Sequence, residues 1–192
     1  MVSPAESGRG LDPKTAPKPL IRDAAERDMA AVAEIYRGYV LDGLASFETD
    51  PPSAGEMDRR RSGIQQSGLP YYVAEVDGTV AGYAYAGRYR ARIAYRYTVE
   101  DSIYVSPDRS GRGVGLALLS ALIERCTALG YRQMLAVIGD SGNAASIRLH
   151  EKAGFRKVGL LPSVGFKLGR WVDAVLMQRP LGAGDSGLPD VE

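Results

Sequence analysis

The fold is decided by the stretch SIYVSPDRSGRGVGLALL at residues 102–119, where an apolar strand runs through a Pro-Asp turn into a glycine loop and an apolar helix. The glycines Gly111, Gly113 and Gly115 alternate, and glycine lets a backbone pass close to a ligand and turn successive N–H groups toward one point. A helix that begins there adds the positive end of its dipole, so the loop suits a pyrophosphate. Taken alone, the glycines leave a flexible strand-to-helix turn as an equal alternative.

Two common phosphate-binding motifs do not match this loop. A P-loop requires Gly-Lys followed by Ser or Thr, which is absent here, and a dinucleotide fingerprint requires a glycine where Leu116 stands. The loop also lies past the middle of the chain, whereas a dinucleotide loop normally follows the first strand. Both motifs are therefore set aside.

The composition is that of an ordinary soluble globular protein. The 192 residues suffice for one sizeable core, and hydrophobic residues make up 45% and charged residues 24% of the chain. The net charge of +1 gives no electrostatic reason to expect nucleic acid or a membrane as a partner. No apolar run approaches the ~20 residues of a membrane span, and the N-terminus lacks an apolar signal-peptide core. A single cysteine, Cys126, excludes an internal disulfide, and a cytoplasmic enzyme fits these features.

The hydrophobic pattern predicts one domain at residues 20–181. Residues 1–19 are rich in Pro, Gly, Ser and Lys without periodicity, residues 182–192 have the same character, and both are predicted to be disordered tails. Strands are predicted at 20–23, 71–76, 79–86, 98–105, 133–138, 155–161 and 171–178, and helices at about 29–40, 53–66, 114–129 and 143–153. The strand–helix–strand units imply right-handed crossovers, so the sheet is predicted to be mixed.

The glycine loop resembles the acyl-CoA loop of the GNAT superfamily of N-acetyltransferases. The matching residues run from Val105 through Ser110, Gly111, Arg112, Gly113 and Val114 to Gly115. The superfamily usually has Gln or Arg where this chain has Ser110, which weakens one side-chain contact but leaves the backbone unchanged. The order of elements is also that of the GNAT fold. The resemblance therefore implies an α/β (α+β) protein with a mixed, mostly antiparallel sheet of about six or seven strands and about four flanking helices.

Within that superfamily the chain is most similar to phosphinothricin acetyltransferases and the related methionine sulfoximine or sulfone acetyltransferases. The matching stretches are residues 94–100, 103–105, 136–139, 143–151 and 165–173. The resemblance implies acetyl-CoA as co-substrate, no metal, and direct acetyl transfer to the amino group of a small amino acid or analogue of these types. It also implies a homodimer and a connection to antibiotic or herbicide resistance.

The resemblance assigns a set of residues to the cofactor. They are Ile103, Tyr104, Val105, Gly111, Arg112, Gly113, Val114, Gly115, Leu116, Asn143 and Ser146. The backbone N–H near Val105 is expected to bind the thioester oxygen, because the family's strands splay apart there. Asn143 is also explained as a plain helix N-cap. The family adds a hydrogen bond from Asn143 to the pantetheine arm, with weaker help from Ser146.

Glu100 is the candidate general base. The substrate ammonium must lose a proton before it can attack, and a partly buried carboxylate with a raised pKa serves this purpose. Strand alternation places Glu100, Ser102 and Tyr104 on one face, with Val99 and Ile103 on the other. Taken alone, Glu100 reads more readily as a solvated strand carboxylate, but members of the family have a catalytic Glu at this position.

His150, the single histidine, is the second catalytic candidate. An isolated helical histidine is usually structural or exposed. The phosphinothricin group has His at this position, where many superfamily members have a Tyr acid. Because imidazole titrates near neutral pH, His150 is expected to play a supporting acid or base role. Cys126 lies in mid-helix without evident activation, so a covalent acyl-cysteine is not expected.

The basic and aromatic segment at residues 88–97 is the candidate acceptor site. Arg90 and Arg92 match a carboxylate or phosphinate, although a solvated loop explains them equally well. Tyr95 and Phe47 would close the pocket, or could be core aromatics. Basic residues between tyrosines also suggest nucleic acid, but the near-neutral chain has no other basic patch.

Two other functions stay open from the sequence. One is acetylation of another amine, such as an antibiotic, a polyamine or a protein N-terminus, and the pair Arg90 and Arg92 argues against a polycation. The other is a non-catalytic acyl-CoA sensor, which Ser110 leaves open and the presence of Glu100 argues against.

Overall fold

The computed structural model describes residues 18–189, which form one sheet with helices on both faces. The strands are β1 (Leu20–Asp23), β2 (Tyr71–Val76), β3 (Thr79–Arg88), β4 (Thr98–Val105), β5 (Gln133–Gly139), β6 (Arg156–Lys167) and β7 (Arg170–Pro180). The helices are α1 (Met29–Leu41), α2 (Ala54–Gln66), α3 (Val114–Ala128) and α4 (Ala144–Lys152). None of the helices within residues 18–189 combines the length and apolar character needed to cross a bilayer.

The sheet has seven strands in the order β1-β2-β3-β4-β5-β7-β6. The neighbours β4 and β5 are parallel, and each of the other pairs is antiparallel. The parallel pair follows from the helix α3 that connects its strands, since a parallel neighbour requires a crossover. Asp77 (φ 52°) and Gly78 (φ 74°) supply the two left-handed residues of the tight β2–β3 turn. The predicted mixed, mostly antiparallel fold is confirmed.

Strand β6 is longer than the sequence pattern predicts. The predicted strand ends at residue 161, just before Pro162, but the strand in the structure continues to Lys167. The pairing with β7 shifts between Leu161 and Gly165, so the proline lies in a bulge and need not donate to the ladder.

The structure describes only the last two residues of the first predicted tail, residues 18–19, and residues 182–189 of the second. Residues 1–17 and 190–192 are outside the described residues. Residues 182–189 form turns, in which Arg132 Nη2 donates to the Leu188 carbonyl at 2.9 Å. The domain limits at 20 and 181 stay a prediction.

The sheet separates two apolar layers. On the face covered by α1 and α2, the fully buried residues include Met29, Val32 and Val40 from the helix and Tyr71, Val73 and Tyr83 from the strands. On the face covered by α3 and α4, they include Leu118, Leu119, Leu122, Met134 and Met177. Strand β4 lies between the layers, so its alternate side chains reach both.

Candidate active site

The parallel pair β4–β5 opens into a wedge. Its strands pair only over residues 98–101 and 133–136, and beyond Asp101 and Ala136 each strand continues without pairing to the other. A groove of about 490 Å³ lies in this opening, lined by the ends of β4 and β5, the glycine loop and α4. Such an interrupted pair offers space for a ligand within the sheet.

Most of the residues predicted to bind the cofactor line this groove. They are Ile103, Tyr104, Val105, Gly111, Gly113, Gly115, Leu116, Asn143 and Ser146. Two predicted residues do not line it. The side chain of Arg112 is exposed, and Val114 is 2% exposed within the core, so the Val114 side chain cannot contact a ligand there.

The glycine loop leaves its main-chain donors free. Gly111 (φ 75°) and Gly113 (φ 83°) adopt left-handed conformations that favour glycine, and Gly113 is the N-cap of α3. The first N–H bond of that helix runs from Ala117 to the Gly113 carbonyl at 3.0 Å. Within the described chain, the N–H groups of residues 111–116 have no acceptor. These donors and the helix dipole fit a diphosphate, which agrees with the predicted loop.

Cations complete the phosphate-binding character of the groove. Arg109, Arg148 and Lys152 are among the residues that line it. Arg109 is paired with Asp77 (3.5 Å) and Asp108 (3.2 Å), whereas no ion pair engages Arg148 or Lys152 among the described residues. The positive charge on α4 therefore remains available to an anionic ligand.

Tyr39 of α1 contacts the edge of β4 that the wedge exposes. Its hydroxyl donates to the Val105 carbonyl at 2.7 Å, and the Val105 N–H donates to that hydroxyl at 3.3 Å. The N–H predicted to bind the thioester oxygen thus has a partner already, and this predicted role stays untested. Tyr39 belongs to the apolar stripe of α1, so its sequence signal is that of a core residue.

Glu100 lies on the opposite face of β4 from Asp101, just before the wedge opens. It stands opposite Gly87 of β3 and beside Leu135 of β5, and it is not among the residues that line the groove. Burial, and secondarily the neighbouring Asp101, raise the pKa of its carboxyl. A carboxylate with a raised pKa is suited to accept a proton.

His150 is held by two partners inside the protein. Its Nδ1 lies 2.8 Å from the Ser146 carbonyl, which can only accept, so Nδ1 carries a proton. Its Nε2 lies 3.1 Å from Asp101 Oδ2, and both side chains are almost fully buried. Burial opposes the charged ring, but the Asp101 carboxylate outweighs it, so the pKa of His150 is raised.

Asp101 is a functional candidate that the motifs do not indicate. Its signal is an acidic residue on the strand face that carries Val99 and Ile103, where a carboxylate needs a partner. The partner, His150, is 49 residues away. Asp101 Oδ1 is buried and has no hydrogen-bond partner among the described residues.

The segment between α1 and α2, which lines the groove through Ala45, is held in place by buried polar contacts. Lys167 Nζ donates to the carbonyls of Ser46 (2.6 Å) and Tyr39 (3.2 Å). Tyr36 donates to Glu48 at 2.9 Å, and its hydroxyl lies 2.7 Å from that of Ser46. Lys167 lies in the family-matching stretch 165–173. The partners of these side chains follow from no motif, because they are set by the tertiary fold.

The four residues predicted to bind the acceptor are only partly brought together. The Arg90 guanidinium lies 5.1 Å from the centre of the Tyr89 ring and 5.9 Å from that of Tyr95. Arg92 is exposed, and Phe47 packs so closely on Gly165 that no Cβ fits there. None of these residues lines the groove.

Comparisons with known proteins agree with this geometry. A family model described as "Acetyltransferase (GNAT) family" matches residues 31–155. The phosphinothricin N-acetyltransferase of Alcaligenes faecalis is 53% identical over 88% of this chain and 86% of its own length. The L-methionine sulfoximine/L-methionine sulfone acetyltransferase of Salmonella typhimurium is 42% identical over 84% of this chain and 94% of its own.

A solved structure shows the same fold with a ligand. It is a GNAT superfamily phosphinothricin acetyltransferase from Sinorhizobium meliloti in complex with acetyl-CoA, with a TM-score of 0.86 and 51% identity, covering 90% of this chain and 93% of that one. In the present chain, no cluster of three or more His, Cys, Asp or Glu side chains within residues 18–189 is arranged to hold a metal ion. The family match and these relatives show that the chain is an N-acetyltransferase of the GNAT family.

Proposed function

We propose that this protein transfers the acetyl group of acetyl-CoA to the amino group of a small amino acid or analogue, of the phosphinothricin, methionine sulfoximine or methionine sulfone type. The observation that carries the proposal is the wedge between β4 and β5: the glycine loop with its free amides lines the groove in this opening, and Glu100 stands on β4 just before the strands part. The names of the relatives support the substrate class.

In the proposed mechanism, acetyl-CoA supplies an activated thioester, and residues of this chain manage the protons and charges. Glu100 takes a proton from the substrate ammonium, directly or through a water. The freed nitrogen electron pair forms the bond to the acetyl carbon. The carbon–sulfur bond breaks with its electrons on sulfur, and that thiolate takes up a proton. An N–H on the exposed edge of β4, at Val105, is proposed to stabilise the charge on the carbonyl oxygen.

Direct transfer from acetyl-CoA to the substrate nitrogen is supported by the burial of Cys126. Cys126 is 0% exposed, and burial raises the pKa of its thiol to about 12. A buried neutral thiol is a poor nucleophile, because the thiolate is the reactive form. The acetyl group therefore passes to the substrate nitrogen without a cysteine intermediate.

His150 is proposed to act in support of this reaction. Because both ring nitrogens face internal partners, the ring does not offer a nitrogen to substrate. Its contacts tie α4 to β4 at the groove, and the hydrogen bond to Asp101 raises the pKa of the ring against the opposing effect of burial. The acid or base role expected for His150 is therefore not part of the proposed mechanism, in which Asp101 and His150 are positioning residues.

The carboxylate or phosphinate of the acceptor is proposed to bind Arg90 and Arg92, with Phe47 and Tyr95 beside it. Both guanidinium groups lack a carboxylate partner among the described residues, so they are free to bind an anion. The small net charge of +1 supports a small-molecule substrate over nucleic acid. A cytoplasmic location and resistance to amino-acid analogues complete the proposal.

A homodimer is also proposed. Large apolar side chains of the β6–β7 hairpin are exposed, namely Val158 (56%), Leu160 (43%), Val164 (55%), Phe166 (61%), Leu168 (58%) and Trp171 (65%). Several exposed large apolar side chains on one hairpin favour an interaction surface, and a second copy fits the expected assembly. Light scattering should give a dimer for the native protein and a monomer for Phe166→Glu.

Thiol release from acetyl-CoA tests the proposed function. We expect purified protein to acetylate methionine sulfone, methionine sulfoximine and phosphinothricin faster than spermidine or a peptide N-terminus at equal concentration. Preference for a polyamine or a peptide would contradict the proposed substrate. Binding of acetyl-CoA without turnover of any amine would instead indicate a sensor.

A further inference from the structure

A second cavity lies on the sheet face that carries α1 and α2. Its volume is about 380 Å³, and it lies between these helices and strands β2 and β3. Four tyrosines, Tyr36, Tyr71, Tyr83 and Tyr85, line it together with Met57 and Arg60. We call it the tyrosine cavity. Its size is within the range of pockets that hold small ligands.

The strand register places the tyrosine cavity beside Glu100. In an antiparallel pair, residues directly opposite each other share a face of the sheet. Gly87 of β3 stands opposite Glu100, and Tyr85 stands opposite Ser102. Gly87 also lines the cavity, and a Cβ built on it would meet nothing within 4 Å. Open space therefore separates the cavity from the neighbourhood of the proposed base.

Two tyrosine hydroxyls of the cavity find no hydrogen-bond partner within residues 18–189. Tyr71 and Tyr83 are both 0% exposed, and neither hydroxyl has a hydrogen-bond partner among the described residues. A buried polar group left unpaired costs about 1–3 kcal/mol, so nearly all such groups in proteins are paired. By contrast, the Tyr36 hydroxyl of the same cavity is paired with Ser46 and Glu48.

The chemistry of the two hydroxyls selects an acceptor group. Burial raises the pKa of both phenols, so each remains an O–H donor. Their rings are stacked with an interplanar angle of 8° and centroids 5.9 Å apart, so the two phenols pack side by side. Sulfone, sulfoximine and phosphinate groups carry two acceptor atoms on one tetrahedral centre, which suits two adjacent donors.

The rest of the cavity suits the stem of such a side chain. Met57 and Ile64 supply apolar surface for methylene groups. The guanidinium of Arg60 is engaged by Glu48 at 2.7 Å and Glu56 at 3.0 Å, so it brings little net charge. An apolar arm that ends in an oxygen-bearing sulfur or phosphorus matches this combination.

We infer that the tyrosine cavity binds the side chain of the acceptor amino acid, and that Tyr71 and Tyr83 donate hydrogen bonds to the oxygens at its end. The inference rests on the proposed function, because it assigns the part of the acetylation site that selects the substrate. The hydroxyls of Tyr71 and Tyr83 are then specificity determinants that no loop or strand motif predicts.

The test removes one hydroxyl at a time. Tyr71→Phe and Tyr83→Phe should each lower kcat/KM for methionine sulfone about tenfold, the equivalent of about 1.4 kcal/mol, and leave kcat/KM for methionine within about twofold. Because each unpaired hydroxyl is lost without a partner being orphaned, Tm should not fall. The control is Tyr72→Phe, on the other face of β2, where neither substrate should be affected.

Each outcome decides a separate question. Equal losses for sulfone and methionine, or no loss for either, would overturn the role of the hydroxyls. If methionine is not acetylated, the Kd values of the two compounds replace kcat/KM in this comparison. If the native protein acetylates none of methionine sulfone, methionine sulfoximine and phosphinothricin, the proposed function fails, and calorimetric titration of methionine sulfone into the protein with CoA tests the cavity directly. Binding that weakens in Tyr71→Phe but not in Tyr72→Phe would support the cavity, and no binding by the native protein would overturn it.

Discussion

The groove beside the glycine loop and the tyrosine cavity across the sheet are built from different parts of the chain. The groove offers main-chain N–H groups of residues 111–116, whereas the cavity offers side-chain hydroxyls. A main-chain site depends on backbone conformation and tolerates most side-chain changes. A side-chain site changes with each residue, so it can vary its ligand while the fold is kept. The division predicts that cofactor binding and acceptor choice respond to different substitutions.

The largest expected effect lies between the two sites, at Glu100. Glu100→Gln should lower kcat for methionine sulfone about 100-fold or more, since loss of a general base typically has this size. The Kd for acetyl-CoA should change less than about twofold, because Glu100 does not line the groove. Calorimetry and thiol-release kinetics on the same sample measure both. A variant that retains native turnover would remove Glu100 from the mechanism.

The raised pKa of Glu100 predicts how the rate changes with pH and how Glu100→Gln changes the stability of the protein. The base is the ionised form, so the rate should rise with pH through a pKa above the ordinary 4.5, and Glu100→Gln should remove that limb. An acid whose pKa is raised by folding is destabilising once ionised, so at neutral pH the variant should unfold at the same or a higher urea concentration than the native protein.

The next effect concerns Asp101 and His150, the side-chain pair on the groove side of β4. Asp101→Asn removes one partner of a buried pair and should lower the free energy of unfolding by about 3 kcal/mol. Because folding raises the pKa of His150 above 6.5, the stabilisation is full below that pH and is lost as pH rises through the folded pKa. The difference between native and variant in urea unfolding should therefore shrink from pH 5.5 to 8.5.

Nuclear magnetic resonance can follow this pair directly, since His150 is the single histidine. Its imidazole proton signal should titrate above the ordinary value in the native protein and lower in Asp101→Asn. An unchanged titration in the variant would show that the 3.1 Å contact does not set the charge of the ring.

The smallest expected effects distinguish main-chain from side-chain contributions of the glycine loop to acetyl-CoA binding. Gly113→Ala meets no atom within 4 Å, but alanine is strained at φ 83°. We expect the unliganded loop of the variant to relax from this conformation, so that restoring it on binding costs about 1.4 kcal/mol and acetyl-CoA binds about tenfold more weakly. Arg112→Ala removes an exposed side chain and should weaken binding less than about threefold. The reverse order of the two Kd values would contradict a backbone site.

The contrast also explains what the sequence could predict. Strand β4, the glycine loop and α3 follow from local patterns, and their predicted positions agree with the structure within one residue. Glycine spacing indicates the main-chain donors of the loop, and the other predicted groove residues, such as Asn143 and Ser146, followed from the family resemblance. The length of β6 could not be predicted, because the bulge that accommodates Pro162 leaves no local sequence pattern.

The remaining contacts join residues far apart in sequence. Asp101 and His150 are 49 residues apart, Tyr39 and Val105 are 66, and Ser46 and Lys167 are 121. Tyr71 and Tyr83 resemble ordinary strand aromatics until the register of β2 and β3 places them over one cavity. Such partners are set by tertiary packing, which no local pattern encodes.

One crystal structure would test the central claim most directly: the complex with a bisubstrate compound in which CoA is joined to the nitrogen of methionine sulfone. We predict diphosphate oxygens within hydrogen-bond distance of main-chain nitrogens of residues 111–116, the linking nitrogen beside the Glu100 carboxylate or a water bound to it, and the sulfone in the tyrosine cavity. A diphosphate bound away from the glycine loop, or a nitrogen on the face of β4 opposite Glu100, would contradict it.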